Sequence, residues 1–172
     1  MKRALLAVGA LWLVILGGMA GMHEYTLRTG QEILLQTQPV DPRDLFRGDY
    51  VTLGYGISSL DMKKLGTAGE AFSAGQPIYV LLGQEGAYHV ATGVQVSRPE
   101  SRALFLKGRV SDVYGKTVRV EYGIESYFVP EGKGGELERA RGKTLDVQAS
   151  VDRTGRAVIK ALLLDGRPVR FR

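Results

Sequence analysis

Five charged side chains, Asp41, Arg43, Asp44, Arg47 and Asp49, crowd into nine residues of the stretch DPRDLFRGDYVTLGY. Charge at this density suits either paired carboxylates for hydrolysis, which need acids about 5 to 10 Å apart across a cleft, or a charged binding surface. Part of the pattern is structural. Pro42 fixes φ and Asp41 can open a turn before it, Asp44 is placed to cap a short turn through Leu45 and Phe46, and Gly48 frees the backbone before the next strand. Arg43 or Arg47 can then hold Asp49 in a bidentate pair. The loop leads into Tyr50 and Tyr55, at least one of which must face a core. A second loop-like stretch, YFVPEGKGG, adds Tyr127 and Glu131. Asp41, Arg43, Asp44, Arg47, Gly48, Asp49, Tyr50, Tyr55, Tyr127 and Glu131 are therefore the candidate binding residues, with no catalytic residue and no metal ligand assigned.

Other chemistries fit less well. The two histidines, His23 and His89, lie far apart in the chain and no serine carries a local triad signature. A Ser-Lys dyad from Ser58 or Ser59 with Lys63 or Lys64 would need burial to lower the lysine pKa, yet the lysines adjoin on a polar stretch. No phosphate-cradling glycine spacing ends in Lys and Ser or Thr, and no cofactor is implied. The absence of cysteine removes disulfides, thiolate metal sites, cysteine nucleophiles and a lipoprotein anchor.

The elements that must position these residues are strands. Apolar alternation, as in VTLGYGI and TVRVEYGI, and short turn signals predict strands at 33–38, 50–58, 77–82, 88–96, 104–113, 117–124, 144–151 and 157–164. The expected fold is mostly β, an antiparallel barrel or sandwich. GDYVTLGYGISS at 48–59 aligns without a gap on GKTVRVEYGIES at 115–126, matching Gly48/Gly115, Val51/Val118, Tyr55/Tyr122, Gly56/Gly123, Ile57/Ile124 and Ser59/Ser126. Each copy leads into a helix-compatible stretch, LDMKKLGTAGEAF or GGELERARG, and then a hairpin. The pattern predicts two similar halves, 32–97 and 103–166, related by a pseudo-two-fold axis. The first half writes QPVDPRDLFRGDY where the second writes only GRVSDVYGKT, so the same strand can be reached without the charged loop.

The amino terminus predicts where this body sits. After Met1, Lys2 and Arg3 come nineteen residues without a charge, Ala4 to Met22, roughly 28 Å of helix and enough to cross a bilayer. Residues 1–24 read as an uncleaved anchor, 25–31 as a polar connector, and 32–172 as one extracytoplasmic domain. A secretory signal cut after Ala20 is the rival, but the apolar run exceeds the usual core of about 7 to 15 residues. The basic start holds the amino terminus inside and exports the rest, to the periplasm where there is an outer membrane. The net charge of +5 is scattered and excludes a nucleic-acid face; a basic surface beside anionic lipid accounts for it.

Gly48, Asp49, Tyr50, Leu53 and Tyr55 spell G-D-Y-x-x-L-x-Y. With the basic start, the anchor and YFVPEGKGGELE, the whole chain resembles the bacterial GDYXXLXY family of membrane-anchored proteins. The resemblance carries over no activity; it implies a place beside multi-pass membrane proteins. The expected function is binding within an envelope or membrane complex, the bilayer being met through residues 4–22 and the other partner being a membrane or envelope protein. The alternative is an envelope hydrolase using carboxylates or the Ser-Lys pair.

Overall fold

The computed structural model describes residues 2–38, 46–47, 50–67, 71–100, 103–130 and 145–169. The uncharged run forms one long helix, α1 (Lys2–Thr29), whose apolar side chains, among them Leu11, Trp12, Leu13 and Val14, are exposed. Its stretch Leu6–Thr29 is long and apolar enough to span a membrane. The segment read as a polar connector continues the helix. Arg28 pairs with Glu24 one turn back, and the Thr26 and Thr29 hydroxyls donate to the carbonyls of Met22 and Tyr25, so polar residues here satisfy themselves within the helix.

The helix stops at Gly30, whose N–H donates to Thr26 O at 2.9 Å. The Ser150 hydroxyl donates to the same carbonyl at 2.7 Å, and Thr26 is buried. A Cβ on residue 30 would stand 2.7 Å from Thr26 O and 2.9 Å from Val151 O, so only glycine admits this approach. One residue therefore separates α1 from the first strand, and the helix end is packed on the body.

The strands are β1 (Gln31–Gln38), β2 (Phe46–Arg47), β3 (Tyr50–Thr52), β4 (Gly54–Tyr55), β5 (Ser59–Asp61), β6 (Pro77–Glu85), β7 (Tyr88–Gln95), β8 (Phe105–Tyr114), β9 (Thr117–Glu121), β10 (Ser126–Phe128), β11 (Leu145–Val151), β12 (Ala157–Leu164) and β13 (Arg167–Pro168). All eight expected strands are present. The expected strand at 50–58 is broken into β3, β4 and a 3-10 turn over Gly56–Ser58, because the chain there leaves one sheet for another. The described part of the first helix-compatible stretch is instead β5 followed by a turn. Asp61 Oδ1 accepts the Lys63 N–H at 2.9 Å, and Gly66 takes φ +74°, a local alternative that an Asp side chain offers in competition with helix. GGELERARG lies outside the described residues.

Three antiparallel sheets run β13-β12-β11-β1-β4, β10-β3-β2 and β5-β9-β8-β6-β7. They wrap into a barrel-like, nearly closed body. At one seam the Leu34 N–H of β1 donates to His89 Nδ1 of β7 at 3.2 Å. Alternation supplies the interior, with Ile33 and Leu35 from β1, Ile78 and Val80 from β6, Val118 and Val120 from β9, and Val147 and Ala149 from β11 all buried in one core.

The registers repeat. β5 pairs β9 as Ser59↔Arg119, Leu60↔Val118 and Asp61↔Thr117, and β10 pairs β3 as Ser126↔Thr52, Tyr127↔Val51 and Phe128↔Tyr50; a shift of 67 residues converts one set into the other. The same shift carries β2–β3 (Phe46↔Val51, Arg47↔Tyr50) onto the end of β8–β9 (Val113↔Val118, Tyr114↔Thr117). It also carries the bulge facing Leu81/Leu82 in the β6–β7 hairpin onto the one facing Gln148/Ala149 in β11–β12.

Candidate functional site

The second half of the G-D-Y-x-x-L-x-Y motif is core. Leu53 and Tyr55 are buried, at 3% and 1% exposure. The Tyr55 hydroxyl donates to the Ile124 carbonyl, and the Tyr122 hydroxyl donates to the Ile57 carbonyl at 2.6 Å. Each Tyr-Gly-Ile thus ties down the other. Burial, with the Glu125 charge nearby, pushes both phenols far above the ordinary tyrosine range. Tyr55, a candidate binding residue by sequence, has no surface with which to meet a partner.

The two Tyr-Gly-Ile segments differ in the residue that follows, Ser58 in one and Glu125 in the other. The Glu125 carboxylate accepts the N–H groups of Tyr122 and Gly123, at 2.5 and 2.9 Å, and Gly123 takes φ +82°. After the other Tyr-Gly-Ile stands Ser58, its Oγ buried with no hydrogen-bond partner, and Gly56 is not left-handed.

Of the other candidates, Asp41, Arg43, Asp44, Gly48, Asp49 and Glu131 lie outside the described residues, as does the ion pair expected between Asp49 and Arg43 or Arg47. Arg47 and Tyr50 are placed through their backbones as a cross-strand pair. Tyr127 stands opposite Val51, in the strand that carries the motif, half-buried against the core. Tyr127 and the motif, read from two distant stretches, are therefore neighbours. The charged segment 39–45 joins the far end of β1 to β2, after eight extended residues, roughly 26 Å of strand beyond α1.

Of the Ser-Lys candidates, Ser58 Oγ is buried without a hydrogen-bond partner, while Ser59, Lys63 and Lys64 are exposed. Among the described residues no group of three His, Cys, Asp or Glu is placed to hold a metal. His89 serves the β1–β7 seam.

Two features escaped sequence reasoning. Asp146 is buried on β11; the Tyr88 hydroxyl donates to its Oδ2 at 3.1 Å, and its Oδ1 has no hydrogen-bond partner. Desolvation raises its pKa and the tyrosine bond opposes that rise. An acid flanked by Leu145 and Val147 looks like an outward strand position, yet the Tyr88 side chain of β7 reaches it from another sheet. The second is a cavity of about 1060 Å³ between α1 and the body, lined by Gly18, Gly21, Met22 and Tyr25 on the helix and by Arg98 and Arg153 across from them. Its charged residues come from two loops 55 positions apart, a proximity no local pattern signals.

The family model described as GDYXXLXY protein matches residues 12–162. No curated protein and no solved structure matches the chain.

Proposed function

The chain belongs to the GDYXXLXY protein family, and from that premise we propose that it is a membrane-anchored binding module whose β body stands outside the cytoplasm and offers segment 39–49 to another membrane or envelope protein. The observation that carries this reading is that the charged segment is additional to the strand framework. In the second half β8 runs from Arg109, paired with Glu121, to Val113, paired with Val118, with three residues between and one register shift. In the first half the corresponding residues, Gln38 paired with Gly54 and Phe46 paired with Val51, have seven residues between them. We take the shared registers as support for an internal duplication, and the longer segment, with four charged or proline residues at Asp41 to Asp44, as the divergence that gives the first half its role. Tyr127, beside the motif strand, extends the same surface.

The anchor reading draws support from the nineteen-residue uncharged run, which exceeds the usual signal core of about 7 to 15 residues. The packed joint between α1 and β11 would hold the body close to the bilayer surface. Lys2 and Arg3 before the apolar run favour an inside amino terminus; a carboxyl-terminal alkaline phosphatase fusion should be active in cells, and an inactive, stable fusion overturns that orientation.

The test of binding replaces residues 39–45 with the three residues Val-Ser-Asp found at 110–112. The full-length variant should fold, since β8 makes the same passage with that length. Wild type and variant are then used to capture proteins from solubilised membranes. The expected result is a partner held by wild type and lost by the folded variant. Identical captured sets would refute the assignment of binding to this segment.

A further inference from the structure

We propose that the cavity between α1 and the body is a site for one anionic phospholipid, its phosphate held by Arg98 and Arg153 and its acyl chain lying along the glycine face of the helix. The proposal rests on the reading of α1 as an uncleaved membrane anchor. Gly18, Gly21, Met22, Tyr25 and Thr29 fall at intervals of three and four residues, so they form one face about 16 Å long. Gly18 and Gly21 have no neighbouring atom within 4 Å of where a Cβ would stand, which leaves a trough in an otherwise bulky helix. Leu104 and Phe105 wall its other side.

The polarity of the cavity runs in the direction of a leaflet. Gly18 to Met22 belong to the uncharged run, and His23, Glu24 and Arg28 follow it. Tyr25, mostly exposed between them, is the kind of residue that settles at the headgroup level. The two arginines therefore face the helix near the level of lipid phosphates. Arg98 donates to the Arg153 carbonyl at 2.8 Å, which fixes the two loops together and leaves most of the guanidinium donors free of that bond. The acid in the lining, Asp152, is turned into its own loop, where its Oδ1 accepts from the Thr154 N–H, the Thr154 hydroxyl and the Arg156 N–H. Asp152 keeps its charge, but with that oxygen bound in its own loop the lining carries two cations against one anion. A guanidinium suits a phosphate through two parallel N–H bonds. A neutral helix of another membrane protein would fill the trough but leave the arginines without a counter-charge, so a lipid anion is the better occupant.

The test uses the full-length protein in nanodiscs of phosphatidylcholine alone or with one fifth phosphatidylglycerol, followed by release into the gas phase and counting of retained lipids by native mass spectrometry. Wild type should keep one phosphatidylglycerol, the ratio of phosphatidylglycerol to phosphatidylcholine among retained lipids exceeding that of the bilayer at least about tenfold, since each basic side chain near a surface contributes about a factor of five. The exposed pair Arg98→Gln/Arg153→Gln should lose that enrichment, and Gly21→Leu, which fills the trough without touching the charges, should reduce retention. No enrichment in wild type, or equal enrichment in the double variant, overturns the site, as does displacement of the lipid by a co-purifying protein helix. Alkaline carbonate extraction of the same membranes separates the two readings. A protein that is released by carbonate has lost the anchor premise, whereas one that stays integral without lipid preference loses the pocket alone.

Discussion

Removing the Tyr122 hydroxyl tests the central joint of the fold. Tyr122→Phe keeps the ring and its burial, and leaves the Ile57 carbonyl, an acceptor at 2.6 Å in the core, without its donor. An unmet buried acceptor costs about 1 to 3 kcal/mol, and Tyr55→Phe should cost a similar amount through Ile124. Tyr55→Ala, which also empties the space of a ring 1% exposed, should cost about 3 to 5 kcal/mol. The same pair sets the alkaline limit. Both phenols have folded pKa values raised by burial and by the Glu125 charge, so the folded state holds two protons that the unfolded chain releases near pH 10. Stability is then fully present below about pH 10 and falls as pH rises beyond it, by about 1.4 kcal/mol per pH unit for each tyrosine. Urea unfolding of the full chain in detergent, followed by circular dichroism from pH 8 to 11.5, measures both effects. Each Phe variant should be weaker at pH 8 and show a shallower alkaline slope than wild type. If either variant matches wild type at pH 8 and keeps the full slope, the reciprocal tie is not what holds the two Tyr-Gly-Ile segments together.

His89→Ala should cost about 1 to 2 kcal/mol by stranding the Leu34 N–H at the β1–β7 seam, and hydrogen exchange at the Leu34 amide should speed up more than at neighbouring β1 amides. Asp146→Asn should be at least as stable as wild type at neutral pH. The raised folded pKa of Asp146 means that its favourable state is present below about pH 4 and is lost as pH rises, so the difference between the two proteins should shrink toward pH 3 in urea titrations. Gly30→Ala should loosen α1 from β11, because the added methyl meets the Thr26 and Val151 carbonyls. The amides of β11 should exchange faster, and the protein should still extract with the membrane fraction.

The strands were legible in the sequence because their period is two and their burial is one-sided; β1, β6, β9 and β11 write that alternation plainly, as Ile33 and Leu35 or Val118 and Val120 illustrate. The short strands were not. β5, β10 and β2 hold two or three residues each, too few for a period, and they exist because a partner elsewhere offers an edge. The site was legible only as a motif. Sequence alone cannot divide G-D-Y-x-x-L-x-Y into parts, since a tyrosine on a half-buried strand reads the same whether its hydroxyl meets a partner protein or, as at Tyr55, a backbone carbonyl 69 residues away. Asp146 and the Arg98–Arg153 bond were hidden for the same reason: each depends on a crossing of elements that neighbouring residues do not encode.

The pairing has a consequence for how the chain can assemble. β11 and β12 lie beside β1 and β4, while β5 and β6 lie beside β9 and β8. Under the duplication proposed above, each large sheet draws strands from both halves, so neither half owns a complete sheet or a closed core. β1 must wait for β11, 120 residues later at the Gln31↔Val151 pair, and closing loops of that length makes folding slow and cooperative. The seat of α1 is built from the same late strand, through Ser150 and Val151. A segment made early is thus fixed in place by one made 124 residues later, Ser150 meeting Thr26. α1 therefore takes its packed place on the body only when β11 arrives.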